Sequence, residues 1–122
     1  MKHTKILFQL LVIVLFNSCK WTHSTSVNQT LNSENPGDII EAVYLIGERR
    51  DSSYCKTVLK LAHDPRVTHS LHFNGMSIHQ SCMVALYKIS GVLPPNKISD
   101  EVDTTNIKFY SEKFKDYKTT KQ

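Results

Sequence analysis

Between Asp38 and Gly91 apolar residues recur at helical spacing in three segments, and each segment stops at a turn signal. This pattern constrains the chain most, because amphipathic helices of this kind are stable only when their apolar faces share a core. Pro36-Gly37-Asp38 marks the first start. Asp38 can accept from the first free amides, and Glu41 can reach back as a capping box. Ile39, Ile40, Ala42, Val43, Tyr44, Leu45 and Ile46 then run almost unbroken, which calls for cover on most sides, and Gly47 is expected to end the helix before the polar turn Arg49-Arg50-Asp51. A second helix is predicted from Asp51 or Ser52, with Tyr54, Val58, Leu59 and Ala62 on one face and a stop at Asp64-Pro65. The residue before a proline avoids the helical region, which supports that stop. The third opens with Ser77 as N-cap and Gln80 in the capping-box place. It carries Ile78, Cys82, Ala85, Leu86 and Ile89 and ends at Gly91 before Pro94-Pro95.

A fourth segment follows from the cap-rich Asp103-Thr104-Thr105. Ile107, Tyr110, Phe114 and Tyr117 form an aromatic stripe, with Phe109 off it and lysines on the other faces. The expected role is a capping helix that seals the end of the apolar body. The fold class predicted is therefore all-α, with a helical domain over 38–118.

The spacing Leu45-Ile46-Gly47-Glu48, Asp51, Val58-Leu59, Asp64-Pro65 resembles the HEAT-like bacterial repeat, and Ile78-His79 and Ala85-Leu86 fall where its next helix would begin and continue. The resemblance covers about residues 42–91. It implies a helical hairpin, or a fragment of an α-α superhelix, used for protein contacts. Two departures stand out: His79 takes the place of the usual arginine, and an extra loop, Arg66 to Met76, lies between the Asp-Pro boundary and the next helix. The array is also short for a repeat fold, so the C-terminal helix must supply cover.

Upstream, Lys2 and Lys5 precede an apolar run, Ile6 to Phe16, broken by Gln9 and followed by Asn17-Ser18-Cys19. The run suits a signal-peptide core better than a membrane span. It resembles a bacterial lipoprotein signal in the looser Ser-Cys form seen in the Bacteroidota, which implies cleavage after residue 18 and acylation, palmitate included, at Cys19. The implied location is the cell envelope, as an outer-membrane lipoprotein facing the periplasm. An ordinary secretory signal is the plainer alternative. Trp21 to Gly37, rich in Ser, Thr and Asn, reads by composition as part of a flexible tether over 19–37.

The formal net charge of +4 includes Lys2 and Lys5, so the mature chain is close to balanced and lacks a basic footprint for nucleic acid. No phosphate loop, nucleophile elbow, His-Glu-x-x-His motif or carboxylate pair points to an enzyme, and no cofactor is implied. The Arg66–Met76 loop is long for a helix–helix connection, and such loops often carry function. Arg66, His69, His72 and Phe73 are the candidate partner-binding residues for a protein of unknown identity. The alternative is metal handling by His63, His69, His72 and His79, since imidazoles are common ligands, although no tight Cys/His spacing accompanies them. Cys55 and Cys82 fall on apolar stripes, as two buried thiols or as a disulfide in an oxidising compartment.

Overall fold

The computed structural model describes residues 22–117, with side chains from Val27 onward. The expected signal segment, Cys19 and Lys118 lie outside the described residues. Among those residues the secondary structure is helical: α1 Thr22–Leu31, α2 Pro36–Glu48, a 3-10 turn Ser52–Tyr54 leading into α3 Cys55–Leu61, α4 Ile78–Ser90 and α5 Thr104–Lys113, of which the spacing predicts all but α1. None of these helices is long and apolar enough to cross a membrane.

The chain divides into two units at the Asn32–Ser33 junction, and α1 belongs to the first. Residues 22–31 of the expected tether over 19–37 are thus helical rather than irregular, and residues 19–21 lie outside the described residues. Ser, Thr and Asn each fall within about 0.7 kcal/mol of alanine in a helix, so composition alone overstates their cost. Val27 and Leu31, one turn apart, are buried. Asn32 then closes the last turn, its amide donating to the Gln29 carbonyl at 3.2 Å and its side chain to the Asn28 carbonyl at 2.9 Å.

The second unit begins at Ser33, five residues before the expected start. Asn35, rather than Asp38, is the N-cap of α2. Its carboxamide oxygen accepts from the Gly37 amide at 3.0 Å, and Pro36 occupies the first helical position, where its missing N–H costs nothing. Asp38 instead holds the preceding strap, accepting from the Ser33 hydroxyl at 2.9 Å. The buried face of α2 is Ile39, Ile40, Ala42, Val43, Ile46 and Gly47, while Tyr44 is exposed and Leu45 half-buried. The near-continuous apolar run is thus a one-sided stripe. Nor does Gly47 end the helix. It lies inside, and the chain leaves through a left-handed residue at Arg50.

Helix α4 is the centre of the unit, with Ile78, Cys82, Met83, Ala85 and Leu86 buried. It packs chiefly on α2 and also contacts α3 and α5, so α2 has its main partner two helices along the chain rather than in the next segment. Small residues set the α2–α4 approach. A Cβ at Gly47 would lie 2.9 Å from the Ala85 Cα, and the Ser81 hydroxyl donates to the Ile40 carbonyl at 3.4 Å. Ser77 caps α4 through the Gln80 amide at 3.0 Å, and Gly91, at φ 70°, closes it in the left-handed region.

The segment between α4 and α5 has no regular structure and is held by side chains. The Asn106 carboxamide clasps Asn96 at two points, accepting from its amide at 3.0 Å and donating to its carbonyl at 3.1 Å, and the Tyr110 hydroxyl donates to the Val92 carbonyl at 2.8 Å. Ile107, Tyr110 and Phe114 are buried as the stripe predicts, whereas Tyr117 remains half exposed. Desolvation pushes the Tyr110 phenol up to about 12.

Candidate interaction face

The Arg66–Met76 connection is not a loose excursion. It leaves and re-enters the body through one antiparallel bridge, Val67 with Ser77, in which the Thr68 amide donates to the Met76 carbonyl at 3.0 Å and the Ile78 amide to the Arg66 carbonyl at 2.9 Å. The tip turns at Asn74-Gly75, both at positive φ, and the Met76 amide donates to the Phe73 carbonyl at 2.8 Å. Asn-Gly favours such a turn, since both residues tolerate the left-handed region. The loop base is moored by Thr68, which is buried; its hydroxyl lies 3.1 Å from where a Cβ on Gly37 would stand.

Arg66, one of the expected partner-binding residues, also braces the loop base. Its guanidinium grips the Asp64 carboxylate, with Nη2 2.7 Å from Oδ2, while Nη1 donates to the Glu34 carbonyl at 2.9 Å. The hydrogen bonds from Arg66 hold the Asp64 carboxyl below its ordinary range. Arg66 therefore ties the loop base to the strap ahead of α2, with its side chain still about half exposed.

His69, His72 and Phe73 line a groove of about 710 Å³ between the loop and the first turns of α2. The helix wall carries Asp38, Glu41, Tyr44 and Leu45, and the loop wall carries Val67, Ser70 and the three expected residues. Tyr44 and Phe73 face each other across it, with ring centroids 6.2 Å apart and planes tilted by 58°. The Tyr44 ring also carries the Lys88 ammonium 5.2 Å from its centroid, and Lys88 pairs with Glu48. That contact steadies the aromatic wall. Beside the groove, Leu71 is 98% exposed.

Sequence reasoning missed the helix wall and Leu71. Tyr44 reads as one apolar residue in a buried run, and only its place off the Ile39-Ile40-Val43-Ile46 stripe marks it as outward-facing. The Asn74-Gly75 pair was the available signal that the loop is a built turn.

The histidines do not gather. His63, His69 and His72 are exposed, whereas His79 is fully buried with both ring nitrogens engaged. Nδ1 lies 2.7 Å from the Ala62 carbonyl and Nε2 accepts from the Asp103 amide at 3.2 Å, an arrangement only the neutral Nδ1–H tautomer satisfies. Among the described residues no group of three or more His, Cys, Asp or Glu could hold a metal ion, so the four-histidine cluster is corrected. His79 is a structural strut that joins the end of α3 to the start of α5.

Cys55 and Cys82 are buried free thiols, which resolves the two alternatives against a disulfide. Burial raises both, Cys55 to about 11 and Cys82 further, so neither supplies a thiolate near neutral pH. The face is thus a groove with aromatic walls and polar rims, with an exposed leucine at its side. No protein-family model, curated protein or solved structure matches the chain.

Proposed function

We propose that this protein is a membrane-anchored protein–protein interaction module. Its HEAT-like helical body is held at the periplasmic face of the outer membrane through acylated Cys19, and it presents the 66–76 loop to a protein partner. The observation that carries this reading is the groove walled by Tyr44 and Phe73 beside a loop whose base is pinned by Arg66, Thr68 and a backbone bridge, with Leu71 exposed next to it. Tyr44, Phe73 and Leu71 together place apolar and aromatic surface side by side, a patch rather than one scattered residue. The adjoining groove, with Tyr44 and Phe73 on its walls, offers the aromatic contact area that interfaces favour.

A photoreactive residue placed at His72 in the cell should form a covalent adduct with another polypeptide chain, and the same residue at Lys108 should not. Equal labelling from both positions overturns the interaction reading. Replacing Cys19 by serine should move the protein from the membrane fraction to the soluble one; unchanged fractionation contradicts the anchor.

A further inference from the structure

The groove face contains both halves of a contact. Its helix wall carries the carboxylates of Asp38 and Glu41, and its loop wall carries the imidazoles of His69 and His72. Between the walls lies the Tyr44–Phe73 pair, and next to the loop wall stands an apolar knob, Leu71. The side chains of Glu41, His69 and His72 form no hydrogen bond or ion pair among the described residues. A foreign partner needs only a hole or only a knob. A surface with a hole, a knob, an acceptor rim and a donor rim together meets the requirement for two-fold self-association, in which the same patch on both subunits must complement itself.

We propose that the groove is occupied by the same face of a second copy of this chain. In this isologous dimer, Leu71 of each copy packs in the groove of the other, against the Tyr44–Phe73 pair. The imidazole rim of each copy then faces the carboxylate rim of the other, donors against acceptors. The inference rests on the interaction reading above and names the partner.

The test is sedimentation equilibrium of the full chain in detergent. The wild-type chain should be a reversible dimer. Leu71→Asp should weaken self-association about a hundredfold, since two knobs are lost and each contributes about tenfold. Because Leu71 is almost fully exposed, the fold should be unchanged by circular dichroism. Glu41→Arg and His72→Glu should each weaken the dimer, and the two together in one chain should restore it, as should an equimolar mixture of the two single variants, a heterodimer rescue that compensation within one chain does not provide. A chain that stays monomeric at every concentration, or a dimer indifferent to Leu71→Asp, overturns the inference. A monomer that still forms a His72 photoadduct with a different protein sinks the second copy and leaves the interaction reading standing. A monomer that forms no such adduct sinks both.

Discussion

Gly47 and Arg50 show how much a single backbone position decides. At Gly47 a methyl group would sit 2.9 Å from the Ala85 Cα and 3.1 Å from its Cβ, so α2 and α4 would have to separate. Gly47→Ala gains about 1 kcal/mol of helix propensity, but overpacking against backbone costs about 1–3 kcal/mol. A net effect from about zero to about 2 kcal/mol of destabilisation is expected in urea unfolding, and a variant stabilised by the full propensity gain of about 1 kcal/mol would mean the two helices are not in close contact here. At Arg50 the chain takes φ 51° without being glycine. The Arg50 amide donates to the Gly47 carbonyl at 3.0 Å and the Asp51 amide to the Ile46 carbonyl at 3.1 Å, the paired bonds of a Schellman motif. A side chain there costs about 1–2 kcal/mol, part of which glycine returns through its freer unfolded state. Arg50→Gly should therefore stabilise the protein by about 0.5–1 kcal/mol in the same assay. Neither position looks special in the sequence: Gly47 reads as a helix end and Arg50 as a polar turn residue, yet the structure exchanges those roles.

Among the helices, α5 is held by its buried Ile107, Tyr110 and Phe114 together with its cap and the Asn96–Asn106 clasp. Asp103 accepts from the Thr105 amide at 2.8 Å and the Asn106 amide at 3.0 Å, and its other oxygen accepts from Asn96 at 2.9 Å. The Asn106 amide first, then Asn96 and Thr105, hold its carboxyl below the ordinary range, as Arg66 does for Asp64. A carboxyl that is more acidic folded than unfolded contributes stability fully present above its unfolded value, about 3.9, and lost as the pH falls through the lower folded value. Through these two carboxyls, urea stability should decline as the pH falls below about 4. Asp103→Asn keeps a capping oxygen and should flatten part of that decline, so an identical acid profile in the variant would remove Asp103 from the account. The cap itself was readable, because Asp103-Thr104-Thr105 is a start signal by composition. The roles of Asn96, Asn106 and His79 were not, since each depends on a partner ten or more residues away.

In the whole molecule, α4 carries the second unit, and Cys82 at its centre reports on that unit's integrity. Cys82 is fully buried and its thiol strongly disfavours ionisation, so alkylation by a neutral reagent should require global opening and should accelerate in step with urea unfolding. Alkylation at a rate independent of denaturant would place the thiol at the surface instead. Cys82 and Cys55 also mark the limit of sequence reasoning: both fall on apolar stripes, and spacing alone left a disulfide open. What the sequence determined by itself was the local inventory. It specified four helices opening near Asp38, Asp51, Ser77 and Asp103, a cap at Ser77, a stop at Gly91 and most of the apolar faces, because periodicity, capping and turn chemistry act within a few residues. The pairing of α2 with α4, the burial of His79 as a strut, the diversion of Arg66 into the loop base and the groove between Tyr44 and Phe73 were decided by tertiary packing. Each of these depends on which distant group fills the space beside a side chain, and no local pattern carries that information.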